Sequence, residues 1–227
     1  DLKDKRTSLP KLKIRFLGKL SKEQKTAFDK LADHENGVLV GPPGIGKTVI
    51  ACSLIGKRKV RSLVLVHRKQ LMDQWKNHIL EFVSIDPERV GLLGGGTKKL
   101  TGVIDIAMLQ TLTRMEEVEE TLSNYEQVII DECQHIPPFS FESVIKKIPA
   151  RYFLGLTATP YRKDGHQPII FMQCGPIRHE MKDVIGVQLN KRVIVRETSF
   201  SMPPSAGTQT QINKVWEKME TDRERLD

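Results

Sequence analysis

The chain has 227 residues, 28% of them charged, a mean hydropathy of −0.33 and a formal net charge of +8. That length can bury a sizeable core in one large α/β unit with tails, and no apolar run is long enough to cross a bilayer. The three cysteines, Cys52, Cys133 and Cys174, are far apart, which excludes a disulfide framework or a zinc ribbon and fits a soluble protein of a reducing, cytoplasmic compartment.

Residues 1–19 read as a basic N-terminal leader: positions 1 to 25 hold nine Lys and Arg against three acids, so most of the positive excess sits there. Such asymmetry favours a polyanionic partner, although a solvated leader explains it equally well. Ser21 is an N-cap candidate opening a helix with Ala27, Phe28 and Leu31 one turn apart, expected to end near His34 to Asn36. Short apolar runs then recur, at Val38–Val40, Leu63–Val66, Val90–Leu93, Ile104–Leu109, Val128–Ile130 and Tyr152–Leu156. Alternating with helical segments, they predict a mostly parallel sheet covered on both faces. Between them, Leu71, Met72, Trp75 and Ile79 form a helical core stripe, and Glu116 to Glu120 an exposed helix face. A strand at Val193–Val195, a loop over 199–210 and an amphipathic helix carrying Ile212, Val215, Trp216 and Met219 are expected near the end.

The segment directly after the first run is Gly41-Pro42-Pro43-Gly44-Ile45-Gly46-Lys47-Thr48, a complete G-x-x-x-x-G-K-[ST] phosphate loop. Glycines let the backbone fold round a phosphate, so that the N–H groups of Pro43-Gly44-Ile45-Gly46-Lys47-Thr48 other than proline's, and the following helix N-terminus, face negative charge. Lys47 would reach the β- and γ-phosphates and the Thr48 hydroxyl would hold Mg²⁺. A glycine-rich turn that happens to end in Lys-Thr is the bland alternative. At the end of a later strand, Asp131 and Glu132 place two carboxylates where ligands of open parallel sheets bind. Asp131 could hold Mg²⁺ through water, and Glu132 could orient and deprotonate the water that attacks the γ-phosphate. Cys133 and His135 without a further pair of ligands do not make a zinc site.

Asp131-Glu132-Cys133-Gln134-His135 resembles the D-E-x-x-H motif of the superfamily 2 helicases and translocases, and Thr157-Ala158-Thr159-Pro160 resembles their third motif. The resemblance implies a three-layer RecA-like P-loop NTPase domain of α/β class over residues 20–200, the first lobe of a two-lobed ATP-driven motor. It implies catalytic roles for Glu132, Asp131 and Lys47, and coupling of hydrolysis to strand movement through His135, Thr157 and Thr159. Gln24, 17 residues before Gly41, sits where the family often reads adenine, though an ordinary exposed helix glutamine is the alternative. Leu65–Leu71 resembles a motif that touches the nucleic-acid backbone, with Arg68 as the phosphate contact or simply as surface charge. Gly94–Thr97, including Gly95, and Met108–Leu112, including Gln110 and Thr111, resemble two further strand-gripping motifs. Tyr161-Arg162-Lys163-Asp164-Gly165 resembles the branch containing the XPB helicase and restriction-enzyme motor subunits, which favours DNA over RNA.

No segment after residue 200 matches a second lobe. Residues 201–227 are expected to be a loop and connector helix leading to one in a longer protein, with the lobe alone nearly inactive. Two other classes stay open: a non-catalytic nucleic-acid-binding P-loop scaffold, which would tolerate loss of Glu132, and a P-loop small-molecule kinase, which would not respond to DNA.

Overall fold

All six apolar runs become strands, because Val, Ile and Leu in near-continuous series suit backbone that is covered on both faces. They are β1 (Asn36–Val40), β2 (Ser62–Val66), β3 (Val90–Gly94), β5 (Ile104–Met108), β6 (Gln127–Ile130) and β7 (Tyr152–Thr157). Two strands were not expected, β4 (Thr97–Lys99) and β8 (Ile177–Glu180). The sheet order is β4-β3-β5-β2-β6-β7-β1-β8, and every neighbouring pair is parallel except β3 with β4. The computed structural model describes residues 9–115, 118–135, 138–159 and 167–182, with 135, 138–141 and 167–170 described in the backbone alone. All lie within Asp1–Asp183, the first of two units into which the chain divides. The expected features at Val193–Val195, 199–210, 212–219, Glu116–Glu117 and Tyr161–Gly165 fall outside these residues.

The helices are α1 (Lys22–Ala32), α2 (Lys47–Arg58), α3 (Lys69–Phe82), α4 (Leu109–Leu112), α5 (Val118–Leu122), α6 (Pro138–Ile145) and α7 (Gln167–Cys174). Successive strand residues face opposite ways. Leu39, Val64, Ile129 and Leu154 therefore join one core with α1, α2 and α3, while Val38, Val40, Leu63, Leu65, Val128 and Ile130 join a second core with α4 and α5. This is the expected three-layer RecA-like α/β arrangement. Among the described residues no helix is long and apolar enough to cross a membrane.

The stripe on α3 is core as expected, with Met72, Trp75 and Ile79 buried. Helix α1 begins at the Ser21 cap and stops at Ala32, slightly short of the expected end. Residues 9–19 of the leader are built into the domain. Leu12 and Ile14 are buried between exposed Lys11, Lys13 and Arg15, the Leu12 N–H donates to the Lys59 carbonyl at 2.7 Å, and Phe16 forms an antiparallel bridge with Val83. The period-2 alternation lets this segment bury one side and solvate the other.

Candidate nucleotide and nucleic-acid site

The phosphate loop leaves β1 at Gly41, whose N–H donates to the Thr157 carbonyl at 3.0 Å, so the loop starts from the end of β7 as well as from its own strand. Gly44 and Gly46 have φ of 81° and 89°, a left-handed backbone that glycine adopts without Cβ strain. At Gly46 a Cβ would also lie 2.3 Å from Gln24 Nε2. Gln24 is the third residue of a capping box: its Oε1 accepts from the Ser21 N–H at 3.0 Å, while its Nε2 donates to the Ile45 carbonyl in the phosphate loop at 3.1 Å. Each of those atoms keeps one further hydrogen-bonding position. Pro43 and Gly44 are exposed, Ile45, Gly46 and Thr48 half-buried.

Lys47, at the start of α2, is buried, and its Nζ donates to the Gly41 and Pro42 carbonyls at 2.5 and 3.0 Å. Burial holds its pKa below the ordinary lysine value, while the charges of Glu132 and then Asp131 act in the opposite direction. The loop from β1 and the acidic pair after β6 are therefore electrostatic neighbours, although 84 positions separate Lys47 from Asp131.

Asp131 is buried at the end of β6, with its Oδ2 accepting from the Trp75 indole N–H of α3 at 2.8 Å and its Oδ1 from the Glu132 N–H at 3.0 Å. Burial raises its pKa and the Glu132 charge adds to this, whereas the Trp75 bond, the Glu132 N–H and Lys47 favour the carboxylate. Glu132 is one of two described non-glycine residues with positive φ, at 48°. The chain turns there into a 3₁₀ turn, Cys133–His135. Among the described residues no three His, Cys, Asp or Glu side chains cluster as a metal cage. One carboxylate and one hydroxyl completed by substrate phosphates and water is a donor set that suits Mg²⁺, so Asp131 and Thr48 fit the expected ion.

The bridge to the third motif is made by Gln134, which the sequence did not single out. Its Nε2 bonds Glu132 Oε2, and its Oε1 lies 2.6 Å from the Thr157 hydroxyl. That hydroxyl also lies 2.5 Å from the Thr159 carbonyl and accepts from the Thr159 N–H at 3.1 Å, so its single proton serves one acceptor at a time. The side chain of His135, expected in the bridging role, lies outside the described residues. Cys133 is buried against Gly155, and its thiol is pushed well above the usual range chiefly by burial, which suits an inert filler.

The segments expected to grip a strand lie at the ends of three adjacent strands, β3, β5 and β2. Arg68 is exposed at the N-cap of α3, and Gln110 Nε2 donates to the neighbouring His67 carbonyl at 3.1 Å. The expected strand Ile104–Leu109 ends at Met108, and Leu109 begins α4, which places Gln110 and Thr111 on a single helical turn. Gly94–Thr97 is the tip of a hairpin: Gly94 pairs with Thr97, and Gly95 and Gly96, with φ of 59° and 92°, make the two-residue turn. A Cβ on Gly95 would lie 3.0 Å from Lys69, so the turn sits against the first residue of α3. Pro43, His67, Arg68, Gln74, Glu132 and Gln134 all line a cavity of about 330 Å³ that runs from the phosphate loop to the start of α3.

A family model described as the res subunit of type III restriction enzymes matches residues 17–162, a span that takes in the phosphate loop, the acidic pair and Thr157–Thr159. The chain belongs to this family. Among curated relatives of the res-subunit family member, the DNA 3'-5' translocase XPB2 of Sulfurisphaera tokodaii is 32% identical over 186 residues, covering 81% of this chain and 41% of the relative. The chain thus spans less than half the length of that protein. In fold it is similar to the UvsW helicase of bacteriophage T4 (TM-score 0.61, 18% identity, 69% of this chain and 58% of that one). It is also similar to the Sulfolobus solfataricus SWI2/SNF2 ATPase core in complex with dsDNA (TM-score 0.58, 21% identity, 74% and 38%). The kinship with N-terminal RecA-like lobes of superfamily 2 motors is borne out.

Proposed function

We propose that this chain is the N-terminal ATP-binding lobe of an ATP-dependent DNA helicase or translocase. The reading is carried by one observation: Gln134 ties Glu132, next to Asp131 after β6, to Thr157, whose carbonyl accepts the N–H of Gly41 at the head of the phosphate loop, so the loop and the acidic pair meet at one end of the sheet. The backbone N–H groups of Gly44 to Thr48 cradle the triphosphate of ATP, and Lys47 leaves the Gly41 and Pro42 carbonyls to meet the β- and γ-phosphates. Gln24 reads adenine with its remaining donor and acceptor. Thr48 and Asp131 hold Mg²⁺, which when bound neutralises charge developing on the phosphates. Glu132 orients the attacking water and takes its proton. Gln134 links Glu132 to Thr157, and through Thr157 and Thr159 to the strand that starts the phosphate loop.

DNA lies along the exposed ends of β3, β5 and β2, held on its phosphates by Arg68, the Gly95 turn, Gln110 and Thr111. XPB2 is named as a DNA translocase and one fold neighbour was solved with dsDNA, which supports DNA as the polymer. A second RecA-like lobe in a longer protein closes on the site and supplies the arginines that raise phosphoryl transfer by about three to five orders of magnitude. A cytoplasmic location and a domain spanning 20–200, with residues 201–227 leading to the second lobe, belong to the same reading. Two substitutions in the full-length protein test it. Lys47→Ala removes ATP binding, and Glu132→Gln keeps binding but lowers DNA-stimulated hydrolysis by about 10²–10⁴. DNA-stimulated hydrolysis that survives either change overturns the assignment.

A further inference from the structure

Trp75 sits on α3 between Met72 and Ile79, 1% exposed, in the core shared by α1, α2, α3 and the sheet. A buried indole needs a partner for its N–H, and most of the ring surface does nothing but pack. Here the partner is Asp131 Oδ2, at 2.8 Å. The other oxygen, Oδ1, takes the Glu132 N–H at 3.0 Å. Both carboxylate oxygens are thus held by donors from two separate elements, the turn after β6 and the middle of α3. Each oxygen keeps a lone pair. Two donors on different oxygens fix the plane of the group, as one donor cannot, and the large ring wedged in the core fixes the upper donor in turn.

We infer that Trp75 is a positioning residue for the magnesium site: its indole N–H sets the orientation in which Asp131 meets the metal or the metal's water. This rests on the proposed role of Asp131. Partners that orient metal-binding carboxylates commonly change metal affinity 10–100-fold when removed. Trp75→Phe keeps an aromatic ring in the core and removes only the donor, so it leaves nucleotide binding without metal intact and weakens the response to magnesium.

The test measures ADP affinity of the 227-residue chain against Mg²⁺ concentration and in EDTA, for wild type, Trp75→Phe and Asp131→Asn. The expected result is that Trp75→Phe raises the Mg²⁺ needed for half-maximal tightening about tenfold, with EDTA affinity unchanged. If Asp131→Asn shifts the Mg²⁺ dependence and Trp75→Phe does not, the inference fails while the role of Asp131 stands. If neither shifts it, the role of Asp131 fails with it. A second measurement does not need the Trp75 variant to fold: the indole ¹H–¹⁵N resonance of Trp75, identified with Trp216→Phe. It is expected to move when Mg²⁺ is added to the ADP complex and to lose that response in Asp131→Asn. A resonance indifferent to Mg²⁺ overturns the proposal.

Discussion

The two halves of the sheet solve different problems with the same strand ends. Beyond β1, β6 and β7, Lys47, Asp131 and Thr157 are buried and Glu132 and Gln134 half-buried, and the side chains are tied down: Lys47 to loop carbonyls, Asp131 to Trp75, Gln134 to Glu132 and Thr157. Beyond β3, β5 and β2 the proposed grips are exposed or half-buried, and the Gln110 amide bonds a neighbouring backbone carbonyl. Chemistry on a small triphosphate gains from dry, preorganised groups, whose electrostatic effects grow as water is excluded. A grip that must release and re-engage a polymer needs solvated cations and small hydroxyls whose hold is weak and salt-sensitive.

The largest effect that would sharpen this contrast is Gly46→Ala. The residue combines φ of 89° with a neighbour 2.3 Å from where Cβ would stand, so alanine must distort the phosphate loop or displace Gln24. A left-handed alanine costs roughly 1–2 kcal/mol before any clash, which predicts about a five- to thirtyfold loss of ATP affinity by calorimetry with DNA binding unaffected. An unchanged affinity would break the picture of a rigid loop.

Arg68→Ala is the reciprocal change and a smaller one. It is expected to weaken DNA binding severalfold and to reduce the slope of log affinity against log salt by about one, leaving ATP affinity alone. Equal loss of both affinities would mean that the two halves are not separate.

The smallest effect concerns the thiols. Burial pushes Cys52 and Cys174 up to about 12 and Cys133 also upward. Since the thiolate is the nucleophile, none of these thiols reacts with a disulfide reagent near pH 8 until the protein unfolds. The stability they contribute is complete below the unfolded thiol range, near 8.5, and is lost as pH rises through it towards 12. A thermal melt series from pH 8 to 10 would record that decline, and rapid thiol reaction in the folded state would contradict it.

Much of the proposed nucleotide site was legible because its determinants are local: a loop of defined glycine spacing and a carboxylate pair ending an apolar strand. The parts missed are those made by distant pairing. Trp75 read as core, which it is, but its bond to a residue 56 positions away leaves no local pattern. Gln134 stood at a variable position of a motif, and only the fold places its amide between Glu132 and Thr157. Strand β4, Thr97-Lys98-Lys99, has no apolar side chain and exists through backbone pairing, although the double glycine before it was a hairpin signal. Strand β8, Ile177-Arg178-His179-Glu180, is an edge strand with one apolar residue. The leader's charge obscured the alternation that buries Leu12 and Ile14.

The convergence of the phosphate loop and the acidic pair on one magnesium-nucleotide site is tested most directly by placing Mn²⁺·ADP in the chain and measuring paramagnetic broadening of backbone amide resonances. Broadening centred on Gly44 to Thr48 together with Asp131 and Glu132, and weaker at Gly95 and Gln110, is the predicted result. Broadening of one of the two segments without the other, or centred elsewhere, would contradict the shared site.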